Sequence, residues 1–171
     1  MKKLFITALL ATSLSSFAQN FELSTLRIGD FKIFNDKQMV DDFAKKNLPR
    51  DGNKDGFNRI NYYGENIDVN FTENYYQNIN PTAKNIIFGM KTSSRAFKTK
   101  SGMGVGSSRE ELINAYKNYS NFSVYTYKDE SRPSVTFSTL SLRDSDAGTS
   151  LNFNMENNIV VEVHVSIEEG C

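Results

Sequence analysis

The first half of the chain shows one helical stretch between segments of strand character. Residues 21–28 predict an edge strand that ends at Gly29, and Asn35 and Asp36 are good helix caps. Apolar residues then recur at helical spacing: Met39, Val40, Phe43 and Ala44. These positions predict a short helix with one apolar side.

Alternation replaces helical spacing further along the chain. Ile60 and Tyr62 alternate with polar residues before Gly64-Glu65, and Ile67, Val69 and Phe71 do so after it, which predicts a hairpin with its turn at Gly64-Glu65. Residues 73–84 are polar and contain Pro81, which predicts a long loop. Two short strands are predicted after it, at 85–90 and 95–98.

The second half returns to the same order of patterns. Ser107 and Ser108 each precede a glutamate by three residues, so a capping box is available in either register. A helix with an apolar stripe follows, made of Leu112, Ile113, Ala115 and Tyr116. Alternating segments then predict strands at 122–127, 135–139 and 151–155, followed by a final strand. The residues of that strand predicted to face inward are Val161, Val163, Val165 and Ile167.

The two halves match each other by pattern. Met39 corresponds to Leu112 at an offset of 73 residues, which divides the chain into repeat one at about 26–98 and repeat two at about 101–167. Strict alternation predicts an antiparallel sheet with one buried face. The predicted fold is therefore α+β, an antiparallel sheet with two helices packed on one face, built as a tandem helix-then-hairpin repeat.

The amino terminus has the pattern of an export signal. Lys2 and Lys3 precede an apolar run, and Ser16 and Ala18 are small residues at the cleavage-determining positions. We expect residues 1–18 to be removed, which leaves residues 19–171 as a single α+β domain in the periplasm or outside the cell. The leader, which ends in Phe17-Ala18-Gln19, resembles export signals of Bacteroidetes.

Charge and hydropathy narrow the classes of partner. The leader holds two of the 20 Lys and Arg residues and none of the 20 Asp and Glu residues, so the mature net charge is −2. This balance argues against a broad basic surface for nucleic acid. No apolar stretch after residue 20 approaches the roughly 20 residues of a membrane span. Cys171 is the only cysteine, so it cannot form an internal disulfide. We expect a monomer, with a dimer linked through Cys171 as the alternative.

Candidate chemistry is sparse. Asp51, Asn53 and Asp55 match the front half of a calcium-binding EF-hand loop, but Tyr62 stands where the bidentate glutamate should be. We therefore expect a plain turn and no cofactor, with calcium as the weaker alternative. His164 lies between Glu162 and Ser166 on the polar side of the last strand, where a modestly raised pKa is expected.

The tyrosines are the feature of this sequence that most favours a protein-binding surface. The chain has eight Tyr and no Trp, and exposed tyrosines favour interfaces. Adjacent strand residues face opposite ways, so one of Tyr62 and Tyr63 should point outward. The predicted partner-binding residues are Tyr62, Tyr63, Tyr75, Tyr76, Tyr125 and Tyr127.

Three stretches also resemble a known family. The segment "GMGVGSSREELINAYKNYS", followed by "FSVYTYKDE" and then "LNFNMENNIVVEVHV", is similar to a unit of the β-lactamase-inhibitor-protein-like superfamily. The small outer-membrane assembly lipoproteins of the BamE type share this pattern. The resemblance covers residues 101–167, with residues 26–98 as a degenerate first copy, and it implies a fold and not an activity.

Together these features predict an exported, non-catalytic protein-binding module. The resemblance makes an inhibitor or a periplasmic immunity-type protein, directed against a toxin or enzyme, the most concrete version. A structural or assembly factor of the bacterial envelope is the first alternative. A secreted hydrolase that uses carboxylates such as Asp144 and Asp146 is the second.

Overall fold

A computed structural model describes residues 19–53 and 55–168. The predicted leader and Cys171 lie outside the described residues. In chain order the elements are β1 Arg27–Ile28, β2 Phe31–Lys32, α1 Lys37–Ala44, β3 Asn58–Tyr62, β4 Glu65–Glu73, β5 Asn85–Thr92, α2 Arg109–Tyr116, β6 Phe122–Lys128, β7 Thr136–Asp144, β8 Thr149–Glu156 and β9 Ile159–Ile167.

One seven-stranded sheet organises the chain. Its strand order is β3-β4-β5-β9-β8-β7-β6, and every neighbouring pair is antiparallel. The predicted antiparallel α+β class is confirmed. Strands β5 and β9 pair at the centre, where Met90 lies opposite Val165. Two meanders therefore meet along one central ladder. Among the described residues, no helix has the length and apolar character needed to cross a membrane.

One face of the sheet forms the core and the other is polar. Val69, Met90, Val165 and Leu151 are neighbours along one cross-strand row and are at most 1% exposed. Arg59, Asp68, Lys91, His164 and Asn152 form a row on the opposite side. We call this second side the polar face. Charged side chains are costly to bury, so a row of this composition is typical of a face that stays at least partly in contact with water.

The helices begin where the capping residues predict. The Asp36 side chain accepts a hydrogen bond from the Gln38 amide, and Ser108 with Glu111 forms a complete capping box. The two caps are 72 residues apart, so Val40, not Met39, corresponds to Leu112. Val40 and Leu112 are fully buried, whereas Met39 is 39% exposed. Aligning the two helix starts thus gives an offset of 72 residues, against the predicted value of about 73.

Three predicted element boundaries also need correction. The turn between β3 and β4 is Tyr63-Gly64, because both residues have positive φ, of 51° and 96°, as the twist of a two-residue hairpin demands. Residues 95–98 form no strand; only Lys98 makes a bridge, to Glu22. The predicted edge strand 21–28 is reduced to β1 and isolated bridges at Glu22 and Leu23.

A β-bulge changes the inward face of the final strand. The register between β8 and β9 shifts at Asn154/Met155, so Asn154 lies opposite Glu162 but Met155 lies opposite Val160. The extra residue, Val161, is turned outward and is 39% exposed, while Val160 is 1% exposed. The prediction that Val161 faces inward is therefore wrong, because a bulge breaks strict alternation.

The loop 74–84 is held together by one side chain. The Asn74 amide donates to the carbonyl oxygens of Asn80 and Ala83, at 2.6 Å and 3.0 Å, and its Oδ1 accepts from the Tyr76 amide at 2.9 Å. Asn80 in turn donates to the Phe34 carbonyl oxygen at 3.0 Å. The long loop predicted here is therefore tied to the body of the protein.

Candidate functional site

The structure divides the six candidate tyrosines among three places. Tyr62 lies in the core, so its assignment to a partner-binding surface is corrected: a fully buried ring cannot touch a partner. Its ring stacks on Phe43 at 5.4 Å, and its hydroxyl lies 2.7 Å from Asp30 Oδ2. Tyr63 is the outward member of that pair, 52% exposed. The prediction that one of the two points outward is confirmed.

The second place is the loop 74–84. Tyr75 is 76% exposed, whereas Tyr76 is half-buried and packs edge-on against Phe34 with ring centroids 5.2 Å apart. The two rings therefore differ in role, and only Tyr75 is free to meet another molecule without disturbing the fold.

The third place is the edge strand β6. Tyr125 and Tyr127 are both about half exposed and point to the polar face. Tyr127 stacks on Phe137 of β7 with centroids 5.4 Å apart. β6 and β3 are opposite edges of the sheet, six strand spacings apart, which is about 25–30 Å. Tyr63 therefore belongs to a different surface from Tyr125 and Tyr127.

A groove of about 530 Å³ runs from these tyrosines across the polar face. We call it the tyrosine groove. Its lining includes Ser93, Tyr125, Tyr127, Phe137, Thr139, Asn154, Met155, Glu156, Val161 and Glu162. Four adjacent strands, β6 to β9, supply all of this lining except Ser93. The bulge in β9 places Val161 here, because the extra residue turns away from the core.

Hydrogen bonds join the floor of the groove across the strands. Thr139 donates to Asn154 Oδ1 at 3.0 Å, and the Asn154 amide donates to Glu162 Oε1 at 3.2 Å. Ser141 and Asn152 form a similar pair in the next row. This network orients Asn154 and one oxygen of Glu162 before anything binds.

One end of the groove already holds a guanidinium. Arg132 lies over the Phe137 ring, 4.9 Å from its centroid, and donates to both carboxylate oxygens of Glu156 at 2.8 Å. This pairing holds the pKa of the Glu156 carboxyl below its ordinary value. The wall of the groove is therefore both aromatic and charged.

His164 lies beside the groove under a loop. Its ring packs edge-on against Phe57 at 6.1 Å, and Lys91 lies over the same phenyl ring, 4.3 Å from its centroid. Burial lowers the pKa of His164, Lys91 lowers it further, and Glu162 opposes both. The expected raised pKa is thus wrong, because the ring is partly buried beside Phe57.

The proposed calcium residues already have protein partners. Asp51 pairs with Arg50 at 2.9 Å, and Asp55 accepts from the Phe57 amide at 3.3 Å and lies 3.6 Å from Lys91 Nζ. The backbone N–H of Asn53 donates to the Phe57 carbonyl oxygen at 3.0 Å and closes the turn. Among residues 19–53 and 55–168, no group of three or more His, Cys, Asp or Glu side chains could hold a metal ion. The calcium hypothesis stays a prediction.

The carboxylates of the hydrolase alternative lie in the turn between β7 and β8. Asp144 accepts a hydrogen bond from the Ala147 amide at 3.0 Å and so caps that turn. Asp146 lines a separate cavity of about 350 Å³ beside Phe34 and Ile79. Nothing in this geometry pairs the two carboxylates for acid–base chemistry.

Sequence reasoning missed several groove residues. The alternation predicts a strand at Phe137 without a role for its ring, and it predicts Val161 in the core. It predicts Glu162 on the polar side of β9, where the structure has it, but only as a neighbour of His164. Alternation within β6 shows that Tyr125 and Tyr127 share one face of that strand. It does not show that Phe137 of β7 lies on the same face of the sheet, because that depends on how the two strands pair.

Comparison of this chain with protein-family models, with curated proteins and with solved structures finds no match.

Proposed function

We propose that this chain is an exported, non-catalytic protein-binding module whose partner docks on the polar face at the tyrosine groove. The position of Tyr125 and Tyr127 carries the proposal. Both rings are about half exposed on an edge strand and line a groove of about 530 Å³. Tyrosines offer large contact area at low entropic cost, and they are frequent anchors of protein interfaces.

The resemblance supports a more specific form of this proposal. A secreted inhibitor or a periplasmic immunity-type protein would use such a face to cover a toxin or enzyme. The net charge of −2 after loss of the leader suits a partner with a basic surface.

We also infer that the chain is a tandem repeat with both helices on the core face. Each helix cap bridges the last strand of its own repeat: Asp36 pairs with Ile86 of β5, and Ser108 pairs with Ile159 of β9. The helices contact the same face, since Phe43 stacks on Tyr62 and Tyr116 stacks on Phe153. This arrangement leaves the polar face free for a partner.

The experiment compares two tyrosine variants as bait. The mature protein, a Tyr125→Ala/Tyr127→Ala variant and a Tyr75→Ala control are immobilised, and proteins are captured from periplasm and culture medium of the organism that makes the chain. We expect a captured protein that the double variant loses by at least tenfold and that the Tyr75→Ala control retains.

Two outcomes would overturn the proposal. If no protein depends on the bait, a protein-binding role fails. If capture is retained by the double variant and lost by Tyr75→Ala, the partner binds at the loop 74–84 instead of the groove. Circular dichroism of each bait establishes that the variants are folded.

A further inference from the structure

We infer that the tyrosine groove takes an arginine side chain of the partner protein. The guanidinium would stack on Tyr125 and pair with Glu162. This inference rests on the proposed function and names the chemistry by which the same site recognises its partner.

The chain itself shows how this face holds a guanidinium. Arg132 stacks on Phe137 and donates to both oxygens of Glu156. A planar guanidinium can stack on a ring and bind a carboxylate with two parallel hydrogen bonds at the same time. The Phe137–Glu156 pair therefore serves as an internal example of the contact that we propose for Tyr125 and Glu162.

Glu162 is the second carboxylate of the groove, and no lysine or arginine of the described residues pairs with it. It is half-buried, and Asn154 occupies its Oε1. Across the described ranges, no Lys or Arg nitrogen lies within 4.0 Å of its oxygens, whereas Glu156 has Arg132. Partial burial strengthens an ion pair relative to one in open water, so a cation that reaches Glu162 gains more than it would at an exposed carboxylate.

The strand register sets the distance between Tyr125 and Glu162. Tyr125, Thr139, Asn154 and Glu162 form one row across β6, β7, β8 and β9. Three strand spacings separate the Cα atoms of Tyr125 and Glu162 by about 14 Å. All four side chains line the tyrosine groove, and its volume of about 530 Å³ has room for one long, flat side chain.

Arginine fits this space better than other cationic or neutral groups. Lysine presents a strongly hydrated point charge that cannot combine ring stacking with two parallel hydrogen bonds. The exposed face of Tyr125 supplies the cation–π surface, and the Asn154–Glu162 hydrogen bond fixes the carboxylate plane.

Titration with short peptides, followed by NMR, tests the inference. The probes are acetyl-Gly-Arg-Gly-amide and its lysine and citrulline analogues, of which citrulline has nearly the same shape without the charge. We expect the arginine peptide to shift amide resonances of Tyr125 and Glu162. The citrulline peptide should bind at least fivefold more weakly, and the lysine peptide should lie between the two.

A matched pair of variants completes the design. Glu162→Gln removes the charge but keeps an oxygen that can accept from Asn154, and it should weaken binding of the arginine peptide at least fivefold. Glu110→Gln changes an exposed glutamate of α2 in the same way and should leave binding unchanged. The amide spectra of both variants should otherwise overlay that of the wild type.

Two results would overturn the inference. The first is equal binding of the arginine and citrulline peptides, and the second is that the arginine peptide shifts only resonances of residues outside the groove. If a captured protein depends on Tyr125 and Tyr127 but not on Glu162, this inference fails while the proposed function stands.

Discussion

At the residue scale, Tyr62 joins the amino-terminal segment to the sheet. Its hydroxyl lies 2.7 Å from Asp30 Oδ2 and 3.0 Å from the Asn20 carbonyl oxygen. Burial, together with the hydrogen bond to the Asp30 carboxylate, raises the pKa of Tyr62. Gly29 presses against this ring, because a Cβ there would lie 2.8 Å from Tyr62 Cζ. The β1–β2 turn is thus shaped to cover the phenol.

We expect Tyr62→Phe to lower the free energy of unfolding by about 1–2 kcal/mol. It removes a hydrogen bond to a charged group but leaves the ring packing intact, and the exposure of Asp30 keeps the effect at the lower end. Urea denaturation at pH 7 measures the change. Tyr63→Phe is the control and should alter stability by no more than about 0.5 kcal/mol. Equal losses in both variants would contradict this role.

His164 should make stability depend on pH. Its pKa in the folded protein is lowered by burial, so the unfolded chain takes up the proton first as the pH falls. The contribution is fully present above the ordinary value of 6.5 and is lost as the pH falls through the lower, folded value.

His164→Gln removes this titration. We therefore expect the wild type to lose more free energy of unfolding between pH 7.5 and pH 5.0 than the variant loses. Urea midpoints at the two pH values give the comparison. A wild type that gains stability over this range relative to His164→Gln would mean that the histidine is stabilised in its charged form.

At the element scale, the bulge in β9 connects the fold to the site. It shifts the register at Asn154/Met155, buries Val160 and turns Val161 into the tyrosine groove. The one extra residue of the bulge therefore places one valine in the core and the next on the polar face. Bulges are common beside functional surfaces, where they redirect side chains.

Asparagine substitutions at two adjacent valines test the bulge. Val160→Asn places an amide in the core and should lower stability by about 3 kcal/mol or more. Val161→Asn should change stability by no more than about 1 kcal/mol, because this side chain is 39% exposed. Thermal and urea unfolding of both proteins give the answer. Unbroken alternation along β9 would produce the opposite order.

At the scale of the whole molecule, the two halves of the sheet share one core. The buried cluster extends from Ile60 and Ile67 in β3 and β4 to Leu151 and Phe153 in β8. The β5–β9 ladder joins the two halves, with Met90 and Val165 as direct neighbours.

We therefore expect the mature chain to unfold in one cooperative transition. Far-ultraviolet circular dichroism and tyrosine fluorescence should give coincident curves, and the calorimetric and van't Hoff enthalpies should agree. Met90→Ala opens a cavity at the β5–β9 ladder and should lower the free energy of unfolding by about 2–4 kcal/mol. Both unfolding curves should move together. Two separate transitions would show that the repeats fold independently.

Much of the secondary structure follows from short-range rules, and the sequence alone was sufficient for it. Asp36 and Ser108 start their helices because a side-chain oxygen satisfies free amides one turn away. Alternation of apolar and polar residues predicts β4, β6 and most of β9. This signal is also local, because successive side chains of any strand point to opposite faces. The antiparallel class also follows, because alternation implies one covered face.

Only the tertiary structure decided which residues meet. The burial of Tyr62, the outward turn of Val161 and the row that joins Tyr125 to Glu162 depend on strand pairing between positions far apart in the chain. A one-residue shift in pairing, or a single inserted residue, moves every side chain beyond it to the other face, and the local pattern of one strand does not contain its partner's position. The periodicity of β9 could therefore indicate a strand but could not place its bulge, and the groove on the polar face exists because that bulge and the β6 register occur together.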